Sequence, residues 1–181
     1  MQRINKKIKD VVHQLYDIKD VYVITSESYW DGGYPIDATL SDKQEFYKYA
    51  NNFSEIIRKI ISTFGDKAFI GKNFSERLSL IAKWKDIKCY DSYNNLLYFF
   101  NKKYNYVLNS NDHDVIDFIV ENDFRYFSFI DFYLPKFDFI LQPTCHTEII
   151  IYSNNYEKII PTISEIVSDY KEIKVDDLSL T

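Results

Sequence analysis

The chain has 181 residues, of which 46% are hydrophobic and 27% are charged. A chain of this length and composition can build its own core, which excludes a disordered chain and a small disulfide-stapled protein. The formal net charge is −5 at pH 7, and no apolar run approaches the roughly 18 residues that a transmembrane helix needs. We therefore expect one soluble domain, residues 1–181, with no membrane partner.

The N-terminal segment predicts an amphipathic first helix, residues 2–18. Its apolar residues, from Ile8 to Leu15 and beyond, recur at helical spacing and are interrupted by lysines. A secretion signal needs a continuous apolar core, so export is not expected. Cys89 and Cys145 match neither a CxxC nor a zinc-finger spacing. Unpaired, inert thiols and a cytoplasmic location follow from this pattern.

The clearest predicted element is a long helix, residues 42–64. Ser41 and Gln44 resemble a capping box, and Gly65 is typical of a helix C-terminus. Between these ends, one side of the helical wheel carries a broad apolar stripe that we expect to be buried. The stripe comprises Phe46, Tyr49, Ala50, Phe53, Ile56, Ile57, Ile60, Ile61 and Phe64.

The other elements predict an α+β fold. Short strands are expected at 21–25, 68–70, 87–90 and 106–108, and shorter helices at 73–84, 93–104 and 112–121. Three β-rich runs at 124–133, 137–142 and 146–153 have connections too short for a crossover helix, which predicts an antiparallel β-meander over 124–153. A last helix, about 158–170, contains Pro161, which either begins or kinks it. The predicted fold is this meander within a mixed sheet, packed by several amphipathic helices.

Known catalytic and cofactor motifs are missing from the sequence. It contains no GxGxxG, Walker A, HExxH or GxSxG pattern, and only four glycines. No cluster of basic residues interleaved with aromatics occurs after the first helix, and the acidic balance repels polyanions. We expect no cofactor and no nucleic-acid partner.

The best candidate for catalysis is the polar motif at residues 144–148. If this segment is a strand, His146 and Glu148 point to the same face about 7 Å apart. An even-length connection before them places both on the aromatic face with Phe139, where burial makes them a general acid/base pair. An odd-length connection places them on the wetter face with Gln142. Ordinary hydrogen bonds at a strand edge are the simpler interpretation.

Acidic residues concentrate between positions 112 and 131. At its start, Asp112, His113 and Asp114 suggest a metal site, but a helix N-terminus explains them better, so no metal is expected. The whole stretch has six carboxylates against Arg125. It is either a solvated face or a docking surface for a basic partner. The six are Asp112, Asp114, Asp117, Glu121, Asp123 and Asp131.

A long loop at residues 29–37 has a distinctive composition. Large aromatic side chains flank two glycines there, which suits either a recognition surface or a loop pinned to the core by its own side chains. The candidate binding residues in it are Tyr29, Trp30, Asp31, Tyr34 and Asp37.

Two functional hypotheses follow. The first is a small bacterial binding protein that acts by stoichiometric association, such as an immunity or antitoxin-type inhibitor of a basic partner. The alternative is a small hydrolase or transferase that uses His146 and Glu148. An enzyme requires these groups to converge in a pocket, whereas an inhibitor requires an exposed acidic and aromatic patch.

Overall fold

The structure, a computed structural model, describes residues 2–4, 15, 21–27, 38–71, 105–125 and 130–178. Its helices in these ranges are α1 (Leu40–Thr63), α2 (His113–Phe124) and α3 (Tyr156–Val167). Its strands there are β1 (Gln2–Ile4), β2 (Tyr22–Ser26), β3 (Ala68–Ile70), β4 (Asn105–Leu108), β5 (Phe132–Leu134), β6 (Phe139–Thr144), β7 (Glu148–Ser153) and β8 (Ile173–Asp177).

The eight described strands form one sheet in the order β1-β4-β3-β5-β6-β7-β2-β8. The α+β class is confirmed, and so is the C-terminal meander, since β5, β6 and β7 are successive neighbours. All seven pairings between described strands are antiparallel, in place of the predicted mixed sheet. A parallel pairing was possible between β7 and β8, because the helix α3 connects them. Strand β2 instead lies between these two strands and is antiparallel to both.

One face of the sheet, called here the core face, packs against α1, α2 and α3. Strand side chains alternate between faces, so Leu141, Ile149 and Ile151 point to the core face and are fully buried. The predicted stripe of α1 is confirmed as core, since Phe46, Phe53, Ile57 and Ile60 have no exposed surface. Burying apolar surface contributes about 25 cal/mol per Å², so the packing of this stripe is the main source of stability.

The opposite face of the sheet, called here the second face, is covered in part by Leu15. Leu15, in a helical conformation, packs on the fully buried Ile140. Phe69, Tyr133 and Tyr152 surround this contact. The predicted first helix is wrong at its start, because residues 2–4 form β1 and pair with β4 through backbone hydrogen bonds.

Several predicted boundaries differ from the observed ones. Phe124 ends α2 instead of opening a strand, because the apolar periodicity of the helix continues through it, and β5 begins only at Phe132. The last helix ends at Val167, and Pro161 lies inside it on the exposed side. Strand β8 was missed, although residues 173–177 begin with an apolar and charged alternation. The elements predicted between 72 and 104 lie outside the described residues.

Two overlapping pairs of residues at the start of α1 fit a capping box, and the hydrogen bonds show which pair forms it. Thr39 Oγ1 accepts from Asp42 N at 3.2 Å, and Asp42 Oδ2 accepts from Thr39 N at 2.9 Å, in place of the predicted Ser41 and Gln44 pair. We expect Thr39→Ala to lower the free energy of unfolding by about 1 kcal/mol in urea denaturation. The matched control, Ser41→Ala, should change it by less than about 0.5 kcal/mol. Equal losses would contradict the observed cap.

Candidate functional site

The turn between β6 and β7 separates the two predicted catalytic residues. Thr144 pairs with Glu148, so the connection consists of three residues, 145–147. Thr147 has a φ of +58° and supplies the third loop residue in a left-handed conformation. His146 therefore lies in the turn, and the prediction that it shares a strand face with Glu148 is wrong.

Glu148 lies on the second face, on the side that an odd-length connection predicts. Its neighbours along that face of β6 are Thr144 and Gln142. Glu148 Oε1 accepts a hydrogen bond from Thr25 Oγ1 at 3.3 Å, and His146 N donates to Thr144 Oγ1 at 3.3 Å. The carboxylate is thus held by a neighbouring strand, away from the buried aromatic residues of the core face. Cys145 lies in the same turn and is half-buried.

A chain of polar side chains that no local sequence pattern predicts crosses the second face. Tyr152 donates to Gln142 Oε1 at 3.1 Å, and Gln142 Nε2 donates to Asp131 Oδ1 at 2.9 Å. Nearby, burial and a hydrogen bond to Asp138 raise the pKa of Tyr133 to about 12. Burial likewise raises the pKa of Tyr152. Both phenols therefore remain protonated donors at neutral pH, which suits them to positioning and not to proton abstraction.

The predicted acidic surface between residues 112 and 131 is not assembled. Asp117 forms an ion pair with Arg58 at 2.6 Å, and both side chains are largely covered. Glu121, Asp123 and Asp131 are buried. The reason is that α2 packs against both α1 and the sheet, which covers most of its circumference. Of the six carboxylates, Asp112 and Asp114 are left at the surface, where Asp112 Oδ2 accepts from Asn109 N at 2.9 Å.

Buried charges instead gather at the end of α2. The Arg125 guanidinium lies 5.1 Å from the centre of the Phe46 ring, and its Nη2 donates to the Tyr47 hydroxyl at 2.9 Å. Asp123 Oδ2 accepts from Ile130 N at 3.0 Å and has no exposed surface. The Arg125 contacts attach the end of α2 to α1, and the Asp123 hydrogen bond attaches α2 to the segment before β5, which indicates a structural role.

An open groove of about 460 Å³ lies between the last turn of α1 and α3, on the side of the sheet opposite to Glu148. Lys59 Nζ contacts Asp169 Oδ2 at 2.7 Å, and this hydrogen bond raises the pKa of Lys59. The same ammonium lies 4.9 Å from the centre of the Tyr170 ring. The polar lining residues are Lys59, Ser62, Thr63, Thr162, Glu165 and Asp169.

The remaining sequence predictions concern the loop at residues 29–37, Cys89 and the metal site. The predicted binding residues Tyr29, Trp30, Asp31, Tyr34 and Asp37 lie outside the described residues, as does Cys89. Within the described ranges, no three His, Cys, Asp or Glu side chains are placed to hold a metal ion. No helix in that part of the chain is long and apolar enough to cross a membrane. Comparison with protein families, curated proteins and solved structures finds no match to this chain.

Proposed function

We propose that the protein acts by stoichiometric association with a basic protein partner, in the manner of an immunity or antitoxin-type inhibitor. The groove between α1 and α3 is the feature that best supports this proposal. It is open to solvent, and it presents carboxylates from α3 and from the turn that follows it opposite hydroxyl groups of α1. A lysine or arginine side chain of the partner is the ligand that matches these groups.

Glu165 is the residue on which this proposal depends. Lys59 already neutralises Asp169, whereas no ion pair reaches the Glu165 carboxylate from the described part of the chain. An arriving guanidinium can bind both oxygens of Glu165 and donate to the Ser62 or Thr63 hydroxyl across the groove. The net charge of −5 adds long-range attraction for a basic partner.

The alternative of a hydrolase or transferase receives no support from the geometry. It requires His146 and Glu148 on one strand face, but His146 lies in the turn and Glu148 is held by Thr25. The groove also lies on the other side of the sheet. Association is therefore the function that the described residues support best.

A pair of charge reversals on one helix tests the proposal. The tagged protein and its Glu165→Lys and Glu157→Lys variants serve as bait in native lysate, and recovered proteins are identified by mass spectrometry. Glu157 is the matched control, because it is exposed in the first turn of α3 and does not line the groove. We expect a basic protein to be recovered in 1:1 amount with wild type and Glu157→Lys, and to be lost with Glu165→Lys.

The recovered protein is then purified and titrated calorimetrically against the three baits. We expect Glu165→Lys to weaken binding by about tenfold or more, with affinity falling as salt rises. Circular dichroism of the variants checks that each is folded. Binding that is unchanged by Glu165→Lys, or the recovery of no stoichiometric partner, would contradict the proposal.

A further inference from the structure

Strand β8 is the last strand of the sheet order and has one neighbour, β2, among the described strands. Two backbone hydrogen bonds set the phase of this pairing: Glu27 N donates to Glu172 O at 3.1 Å, and Leu178 N donates to Val21 O at 2.9 Å. Backbone groups of an antiparallel strand alternate in direction. Those of residues 174 and 176 therefore point to β2, and those of 173 and 175 point outward from the sheet edge.

The side chains of β8 carry a charge pattern that is its own complement. Lys174 and Asp176 lie on the second face on either side of Val175, and their Nζ and Oδ2 atoms are 2.7 Å apart. Their side chains are 64% and 39% exposed. Reversing the direction of this segment about Val175 places each charge opposite one of the other sign.

We propose that β8 pairs antiparallel with β8 of a second copy of this chain, centred on Val175. In this register Lys174 faces Asp176 of the second copy, and Asp176 faces its Lys174. Paired residues must share a sheet face, so the neighbouring allowed registers are displaced by two residues. Those registers oppose Lys174 to Lys174 or Asp176 to Asp176, which is unfavourable.

The backbone phase agrees with this register. The outward N–H and C=O of Val175 exchange two hydrogen bonds with Val175 of the second copy. Lys174 and Asp176 then occupy non-hydrogen-bonded pairs, in which opposing side chains approach most closely. The contact is small, so the dimer is a weak one. Pairing joins the sheets of the two copies into one.

Complementary charge reversals test the register. Sedimentation velocity from about 10 to 500 µM covers the range expected for a contact of this size. We expect wild type to show a monomer–dimer equilibrium and the single variants Lys174→Asp and Asp176→Lys to weaken it about tenfold or more. Mixing the two single variants should form a heterodimer, and the double exchange Lys174→Asp with Asp176→Lys should dimerise again.

Two further variants distinguish the loss of pairing at the β8 edge from a general effect of changing the charge or the fold. Val175→Pro removes an outward N–H without touching the hydrogen bonds to β2, so it should abolish the dimer while the circular dichroism spectrum is kept. Lys67→Asp reverses an exposed charge next to β3, away from β8, and should leave the dimer unchanged. A monomeric wild type, or single variants that associate as wild type does, would overturn the proposal. A mixture of the single variants that stays monomeric would also overturn it.

Discussion

Replacing Phe53 with alanine is expected to lower the free energy of unfolding by about 4 kcal/mol, the largest single loss predicted for this chain. Phe53 lies in the middle of α1, has no exposed surface, and meets Phe124 edge-to-face with ring centroids 5.1 Å apart. Truncation removes this ring contact between α1 and α2 and leaves a cavity that helices held by the sheet cannot close. Urea denaturation measures the loss.

Two variants accompany this measurement. Phe53→Leu keeps an apolar side chain and should lose about 1 to 2 kcal/mol, so the effect stays measurable if the alanine variant does not fold. Gln44→Ala lies on the exposed side of the same helix and should change stability by less than about 0.5 kcal/mol. Similar losses from Phe53→Ala and Gln44→Ala would show that the α1 stripe is not the core.

Replacing Asp123 with alanine is expected to lower the free energy of unfolding by about 3 kcal/mol. The change deprives the buried Ile130 N–H of its acceptor, and a buried donor without a partner loses its full desolvation free energy. It also alters the balance of buried charge near Arg125. Thermal and urea unfolding measure this loss, which should appear although no apolar contact is removed.

The amide variant identifies the cause of that loss. Asp123→Asn keeps an oxygen that can accept from Ile130 N, so it should recover part of the stability. Asp114→Ala, at an exposed position of the same helix, should cost about 0.5 kcal/mol or less. A loss from Asp123→Asn as large as that from Asp123→Ala would assign the effect to charge instead of the hydrogen bond.

Elements that bury a regular apolar stripe were predictable from sequence. The predicted bounds of α1 and β3 lie within two residues of the observed ones, because the apolar pattern of each element stops close to its observed ends. The N-cap was misplaced because Thr39 with Asp42 and Ser41 with Gln44 both fit a capping box, and local pattern does not choose between them. Only the backbone geometry at Thr39 decides it.

Burial of charge was not predictable from local pattern. Glu121, Asp123 and Arg125 have the composition of a solvated helix end, yet the sheet and α1 cover them. The groove was missed for a similar reason, because Lys59 and Asp169 are 110 residues apart and meet only when α1 and α3 pack side by side. The sequence does not decide the length of the turn at 145–147, because this length depends on the conformation of Thr147.

The position of β2 has a consequence for synthesis on the ribosome. Thr25 of β2 and Glu148 of β7 are in contact but 123 residues apart, and β8 is made later still. At about 5 to 20 residues per second, β2 waits about 6 to 25 s for its first partner strand. During that interval the Tyr-Val-Ile-Thr segment is an unpaired β-rich strand, which is the kind of segment that nascent-chain chaperones must keep from aggregating.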